Sequence, residues 1–121
     1  MNKYRNRKTY SDGMVFDSRR EACRYHELYL LQKAGRIKNL QRQVPYTLVP
    51  DQREPDRIGK RGGVYKGRII ERKITYIADF SYFDCDSGQI IVEDAKGFKT
   101  PEYRLKKKLM LWVHGIRIKE V

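Results

Sequence analysis

Apolar residues between Arg19 and Ala34 fall on one side of a helical wheel, with Tyr25, Leu28 and either Leu31 or Gln32 marking the buried face, and Gly35 follows as a stop. The spacing predicts a first helix. From Leu40 to Val49 the period changes to two, which predicts a strand within residues 37–49 that Pro45 confines to a sheet edge or a strand start. Two further apolar segments, 74–83 and 89–97, flank Asp84-Cys-Asp-Ser-Gly88, whose Asp, Ser and Gly are turn formers, so they read as a hairpin. Thr100 as cap, Pro101 at the first helical position and Glu102 beside the positive end of the dipole open a second helix. Leu105, Leu109 and Trp112 are its expected core face, Gly115 ends it, and 116–121 alternates as a last strand. Near the start, Asp12-Gly13 is a turn and Met14-Val-Phe16 an apolar lead into the first helix. Residues 50–68, rich in Pro, Gly and charge, read as a long mobile loop. The order is helix, strand, loop, hairpin, helix, strand: an α/β fold with a small mixed sheet flanked by helices.

Two strand segments carry charge where apolar residues belong. Asp79 interrupts the first arm of the hairpin, and Asp94 and Lys96 follow an Ile-Ile-Val run on the second. A carboxylate at the end of a buried strand is costly unless a cation, a hydrogen bond or solvent meets it. Alternation puts Asp94 and Lys96 on one side and Glu93 on the other. Glu21, four residues before Tyr25, turns towards the apolar stripe of the first helix, yet Ser18-Arg-Arg-Glu21 also matches a capping box. Gln43 reads as an ordinary polar strand residue. His26 and His114 lack a metal-spaced partner.

The 121 residues suit one domain, 10–121, behind a flexible basic arm, 1–9, in which Lys3, Arg5, Arg7 and Lys8 either contact phosphates or serve as a solubilising tail. Charge narrows the partner: 27 Lys and Arg against 15 acids leave +12, which points to an anionic polymer, nucleic acid before membrane. No apolar run approaches the ~20 residues of a membrane span, and a soluble, intracellular protein is expected. Cys23 and Cys85 stand alone, which favours reduced thiols over a disulfide or zinc site. Lys60 and Arg61, with Lys66 and Arg68, could close the loop over a phosphate backbone, or the loop is merely solvated. Arg104, Lys106, Lys107 and Lys108 crowd the second helix, facing either a polyphosphate or water.

Taken together, Phe16-Asp-Ser-Arg-Arg-Glu21, Gln43, Ala78-Asp-Phe-Ser-Tyr82, Val92-Glu-Asp-Ala-Lys-Gly97 with Thr100, and Tyr103-Arg-Leu-Lys106 resemble the PD-(D/E)XK nuclease superfamily. More closely, they resemble a small phage- and prophage-associated endonuclease family, related to Tn7-type transposon end-cleaving nucleases and phage Holliday-junction resolvases. The resemblance spans residues 10–118 in order, with Ala78 in place of the proline of the superfamily's name. It implies a restriction-endonuclease-like αβββαβ core. It also implies a Mg2+-dependent deoxyribonuclease, with Mn2+ as a possible substitute. In that reading Asp79 and Asp94 hold the metal, Lys96 orients or deprotonates the attacking water, and Glu21 completes the metal site or positions water in preference to capping. Gln43 contacts water or phosphate beside them, and Lys106 approaches the substrate backbone. Lys99, Arg104, Lys106, Lys107, Lys60 and Arg61 are the candidate DNA-contacting cations. The implied substrate is branched or junction DNA in phage recombination, replication or packaging, cut by a homodimer or within a larger assembly in the bacterial host cytoplasm. A non-catalytic basic nucleic-acid-binding or assembly module is the alternative.

Overall fold

The computed structural model describes residues 8–121, so the expected basic arm lies outside the described residues up to residue 7; Thr9, its last residue, opens the first strand. β1 (Thr9–Ser11) and β2 (Met14–Phe16) pair antiparallel across Asp12-Gly13, both at positive φ, so the expected helix lead-in is the return strand of a hairpin. α1 (Arg19–Lys33) follows, then β3 (Ile37–Val49). Next come four short strands, β4 (Gln52–Arg53), β5 (Arg57–Ile58), β6 (Val64–Tyr65) and β7 (Ile69–Glu71). β8 (Ile74–Asp84), β9 (Gln89–Asp94), α2 (Pro101–His114) and β10 (Lys119–Glu120) complete the chain. The core is a mixed four-stranded sheet in the order β10-β9-β8-β3, with β10 parallel to β9 and the other pairs antiparallel.

The two helices cover opposite faces. Neighbouring residues of β9 show this: Ile91 packs on the cluster of Leu28, Ile37, Phe80 and Tyr82 beside α1, whereas Val92 belongs to the cluster of Tyr103 and Met110 beside α2. Even-numbered residues of β8 should share one face. Phe80 and Tyr82 lie on the α1 side, but Tyr76 and Ala78 lie on the α2 side, so the strand changes faces at Asp79. The change falls where β9 ends at Asp94 and opposite Gln43, whose φ of +52° interrupts the regular strand geometry of β3.

Four expectations need correction. In place of an irregular loop at 50–68 there are paired strands, β4 with β7 and β5 with β6. Their junction is held by Glu54 N–H to the Arg68 carbonyl, Gly67 N–H to Asp56 Oδ1 and Arg53 Nη1 to the Gly67 carbonyl, at 2.9, 2.9 and 3.0 Å. Gly67 is required there, since a Cβ would fall 1.7 Å from the Glu54 oxygen. The glycines that read as loop composition are what lets two backbones meet. In α2 the buried residues are Tyr103 and Met110, while Leu105 is 56% and Trp112 84% exposed. Tyr103 and Met110, seven residues apart, form the inner face with the half-buried Leu109, and the Tyr103 hydroxyl donates to Glu120 on the last strand. The last strand itself is only Lys119–Glu120, and Ala95 to Gly97 lie beyond β9. Elsewhere the turns are those expected, with Gly88 and Gly115 at positive φ. No helix among the described residues is long and apolar enough to cross a membrane.

Glu93, fully buried, faces α1 and is gripped by Arg24, whose Nε and Nη2 donate to its two oxygens at 2.8 and 2.7 Å; the Tyr82 hydroxyl donates as well. Removing one partner of such a pair leaves a buried charge unmatched, at a cost of about 3–5 kcal/mol. Arg24→Met is therefore expected to lower the urea midpoint sharply at constant m-value, and adding Glu93→Gln to restore part of the loss.

Candidate active site

β8 and β9 pair as far as Phe80 opposite Glu93, so Asp79 and Asp94 are the next residues on each arm, at the point where the strands part. α1 begins beside them. A cavity of about 410 Å3 opens there, lined by Glu21, Asp79, Lys96, Arg20, Ser18 and Thr100 among others, and Asp94 is buried behind Lys96, in contact with it. Four sequence-predicted residues from α1, β8, β9 and the following turn thus converge. The fifth, Gln43, reaches in from β3, its Nε2 donating to Glu21 Oε1 at 2.9 Å.

Asp94 is 1% exposed. Tyr76 donates its hydroxyl to Asp94 Oδ2, and Lys96 Nζ stands 3.2 Å from Oδ1, although Oδ1 receives no well-formed hydrogen bond. Burial and the neighbouring carboxylate push the Tyr76 phenol far up, so it remains a donor. The Lys96 ammonium also lies 4.9 Å over the Tyr103 ring, a cation–π contact that fixes its direction. Asp79 Oδ2 accepts the Ala95 N–H at 2.9 Å. Burial, then repulsion from Asp94, pushes the Asp79 carboxyl up to about 8.

Glu21 divides its two oxygens. Oε2 accepts from the Asp17 N–H at 3.3 Å, just before the Ser18 cap, whose Oγ accepts the Glu21 N–H; Oε1 takes Gln43, with Arg42 3.6 Å away. One acid therefore both braces the helix start and faces the cavity, where the sequence offered these as alternatives. Burial, then Asp17, raises its carboxyl. Gln43 holds a φ of +52° in the middle of a strand. That conformation is rare for a residue without the local hydrogen bonding of Asn or Asp, and such outliers cluster at functional sites.

Three supporting residues carry no sequence signal of their role. Tyr76 and Tyr103 are buried core rings, yet the Tyr76 hydroxyl holds Asp94 and the Tyr103 π face holds Lys96. Arg42, stacked 4.1 Å over Phe16, balances Glu21. The candidate DNA-contacting cations divide. Lys99 and Lys107 both hold Glu120, at 3.3 and 2.7 Å, and Lys107 draws the Glu120 carboxyl down to about 2. Lys106 pairs with Glu102 at 2.9 Å and lines a second recess that shares Lys96 and Thr100 with the first. Arg104 is exposed, and Lys60 and Arg61 lie in the β5–β6 turn.

The donor chemistry suits a hard divalent cation: two adjoining carboxylates, one with an oxygen lacking a hydrogen-bond donor, beside an open cavity. Among the described residues no group of three or more His, Cys, Asp or Glu side chains is placed to hold a metal. Glu21, with both oxygens engaged, is thus not gathered with Asp79 and Asp94 into a three-acid set. Two carboxylates fit an ion that keeps most of its waters.

A carboxyl whose folded pKa exceeds its unfolded value binds more protons when folded, so stability falls as pH rises from about 4 towards about 8. Asp79→Asn removes that penalty. In the absence of divalent ions its Tm should exceed the parent's at pH 8–9, and the gap should shrink towards pH 5.

A family model described as a protein of unknown function (DUF1064) matches residues 1–117. No curated protein and no solved structure matches the chain. With all but the last four residues covered by that match, the chain belongs to the DUF1064 family.

Proposed function

We propose that the protein is a metal-dependent deoxyribonuclease of restriction-endonuclease-like fold that hydrolyses phosphodiester bonds. The observation that carries this reading is the convergence of Asp79, Asp94 and Lys96 where β8 and β9 separate, under a cavity also lined by Glu21. The order α1, β3, β8, β9, α2, β10 agrees with the αβββαβ core of that fold. Asp79 and Asp94 would hold Mg2+, or Mn2+ in its place, and the ion would supply positive charge to the phosphate and acidify a water.

The chain's own groups account for the remaining requirements. Lys96, steered by Asp94 and the Tyr103 ring, presents its ammonium to the attacking water and to the charge that builds on the phosphorane oxygens. Attack at phosphorus forms one P–O bond and breaks the bond to the leaving oxygen, which takes up a proton. Glu21 and Gln43 form a hydrogen-bonded pair at the cavity wall that positions water. Tyr76 keeps Asp94 aimed. Arg20 at the mouth and Lys106 in the adjoining recess meet phosphates on either side. Double-strand or junction cutting requires two such sites, so the working form is a homodimer or a larger DNA-processing assembly in the cytoplasm of a bacterial host. Branched or junction DNA is the proposed substrate.

The missing third acid favours one other reading, a basic nucleic-acid-binding module without catalysis. The two separate experimentally on a panel of junction, flap, duplex and single-stranded DNA with and without Mg2+. Nuclease activity should appear with Mg2+ and fall at least about a hundredfold in Asp79→Ala and in Lys96→Ala, with binding retained. Independently of turnover, Mg2+ should raise the Tm of the parent and not of an Asp79→Asn/Asp94→Asn variant. No cleavage product from any substrate, together with an unmoved Tm, rejects the nuclease.

A further inference from the structure

β4–β7 and β5–β6 together form an arm whose two ends adjoin at the core, Lys73 N–H donating to Asp51 Oδ1 at 2.7 Å. Between residues 50 and 73 it carries eight Lys or Arg against four Asp or Glu. Two of those acids are engaged by backbone N–H groups: Asp51 closes the base and Asp56 accepts the Gly67 N–H. Among the described residues, Arg57, Lys60, Arg61, Lys66 and Arg68 have no side-chain ion pair or hydrogen bond, and all are exposed. Ile58 and Val64 stand directly opposite each other, 79% and 69% exposed. An apolar pair at the end of a ribbon is an aggregation hazard unless something covers it. A second copy of the same basic arm would add like charge to like charge.

We infer that the arm is a grip for double-stranded DNA, laid in the major groove beside the cleavage site with its cations on the flanking phosphates. The major groove of B-form DNA admits a two-stranded antiparallel ribbon, whereas that of an RNA duplex is too narrow and deep for side chains to read. Ile58 and Val64 supply apolar contact to base edges, which in that groove include the thymine methyl. Arg57, Lys60, Arg61 and Lys66 displace counterions from the backbone. The inference rests on the nucleic-acid reading above but not on catalysis.

The test uses the full chain carrying Asp79→Ala, in EDTA, titrated against a short blunt DNA duplex and an RNA duplex of the same sequence over a range of salt. Lys60→Ala/Arg61→Ala/Lys66→Ala should weaken DNA binding at least about tenfold and flatten the salt dependence by about 0.9 for each phosphate no longer neutralised. Ile58→Ser/Val64→Ser should weaken it with the salt dependence unchanged. Because these side chains are exposed, the Tm should stay at the parent's. A chain in which Gly-Gly joins Asp51 to Lys73 gives a second measure, and should match or exceed the loss of the charge variant. Unchanged DNA affinity and salt dependence in all three overturns the inference, as does an equal loss on the RNA duplex. Arm-dependent self-association of the protein alone, seen by sedimentation, overturns it in favour of a protein contact. Cleavage absent while arm-dependent DNA binding persists rejects the nuclease and leaves the grip standing.

Discussion

Carboxylates buried in so small a core must each be met by a donor from another element, and this matching holds the domain in register. Glu93 is met by Arg24 from α1 and Tyr82 from β8. Asp94 is met by Tyr76 and Lys96, and Glu21 by Gln43 from β3. An unmatched charge in such surroundings costs more than the marginal stability of a domain allows. Shifting β9 by one residue would exchange Glu93 and Asp94 between the α1 side and the site, leaving both without their donors.

Against that background the weakly matched acids stand out. Asp79 has one backbone donor and a close anionic neighbour, and Asp94 retains an oxygen with no hydrogen-bond donor. Both lie where β8 and β9 part, beside the cavity that Asp79 lines. The same place concentrates backbone irregularity, because β9 stops, the β3–β8 ribbon changes faces and Gln43 takes a left-handed φ. The turnover brings residues of opposite strand parity, and of both helix-bearing faces, to one wall.

Much of this was legible in the residues. Both helices, the hairpin at 84–88 and the order of the core strands follow from period, caps and turn formers, all of which act within a few residues. Asp79, Asp94 and Lys96 stood out because charge does not belong at buried strand ends, Glu21 because helical spacing turns it towards the apolar stripe, and Gln43 by resemblance alone. Apart from the β1–β2 hairpin, the failures mostly depended on a partner distant in the chain. Leu105 and Trp112 have the spacing of a core stripe, yet α2 turns Tyr103, Met110 and Leu109 onto the sheet and Ile118. The glycines of 50–68 looked like loop composition until Gly67 met Glu54. Glu21 fitted a cap by its residues and a site by resemblance, and its two oxygens serve both.

By itself the sequence determined the local elements, the basic character of the chain and which acids were out of place, since propensity, charge and alternation are properties of neighbouring residues. Only the tertiary structure decided that β8 exchanges faces at Asp79, that Tyr76 and Tyr103 direct Asp94 and Lys96, and that 50–73 builds an arm. Those outcomes depend on where β9 ends against β8 and on which backbones touch, quantities that come into existence only once the strands have paired.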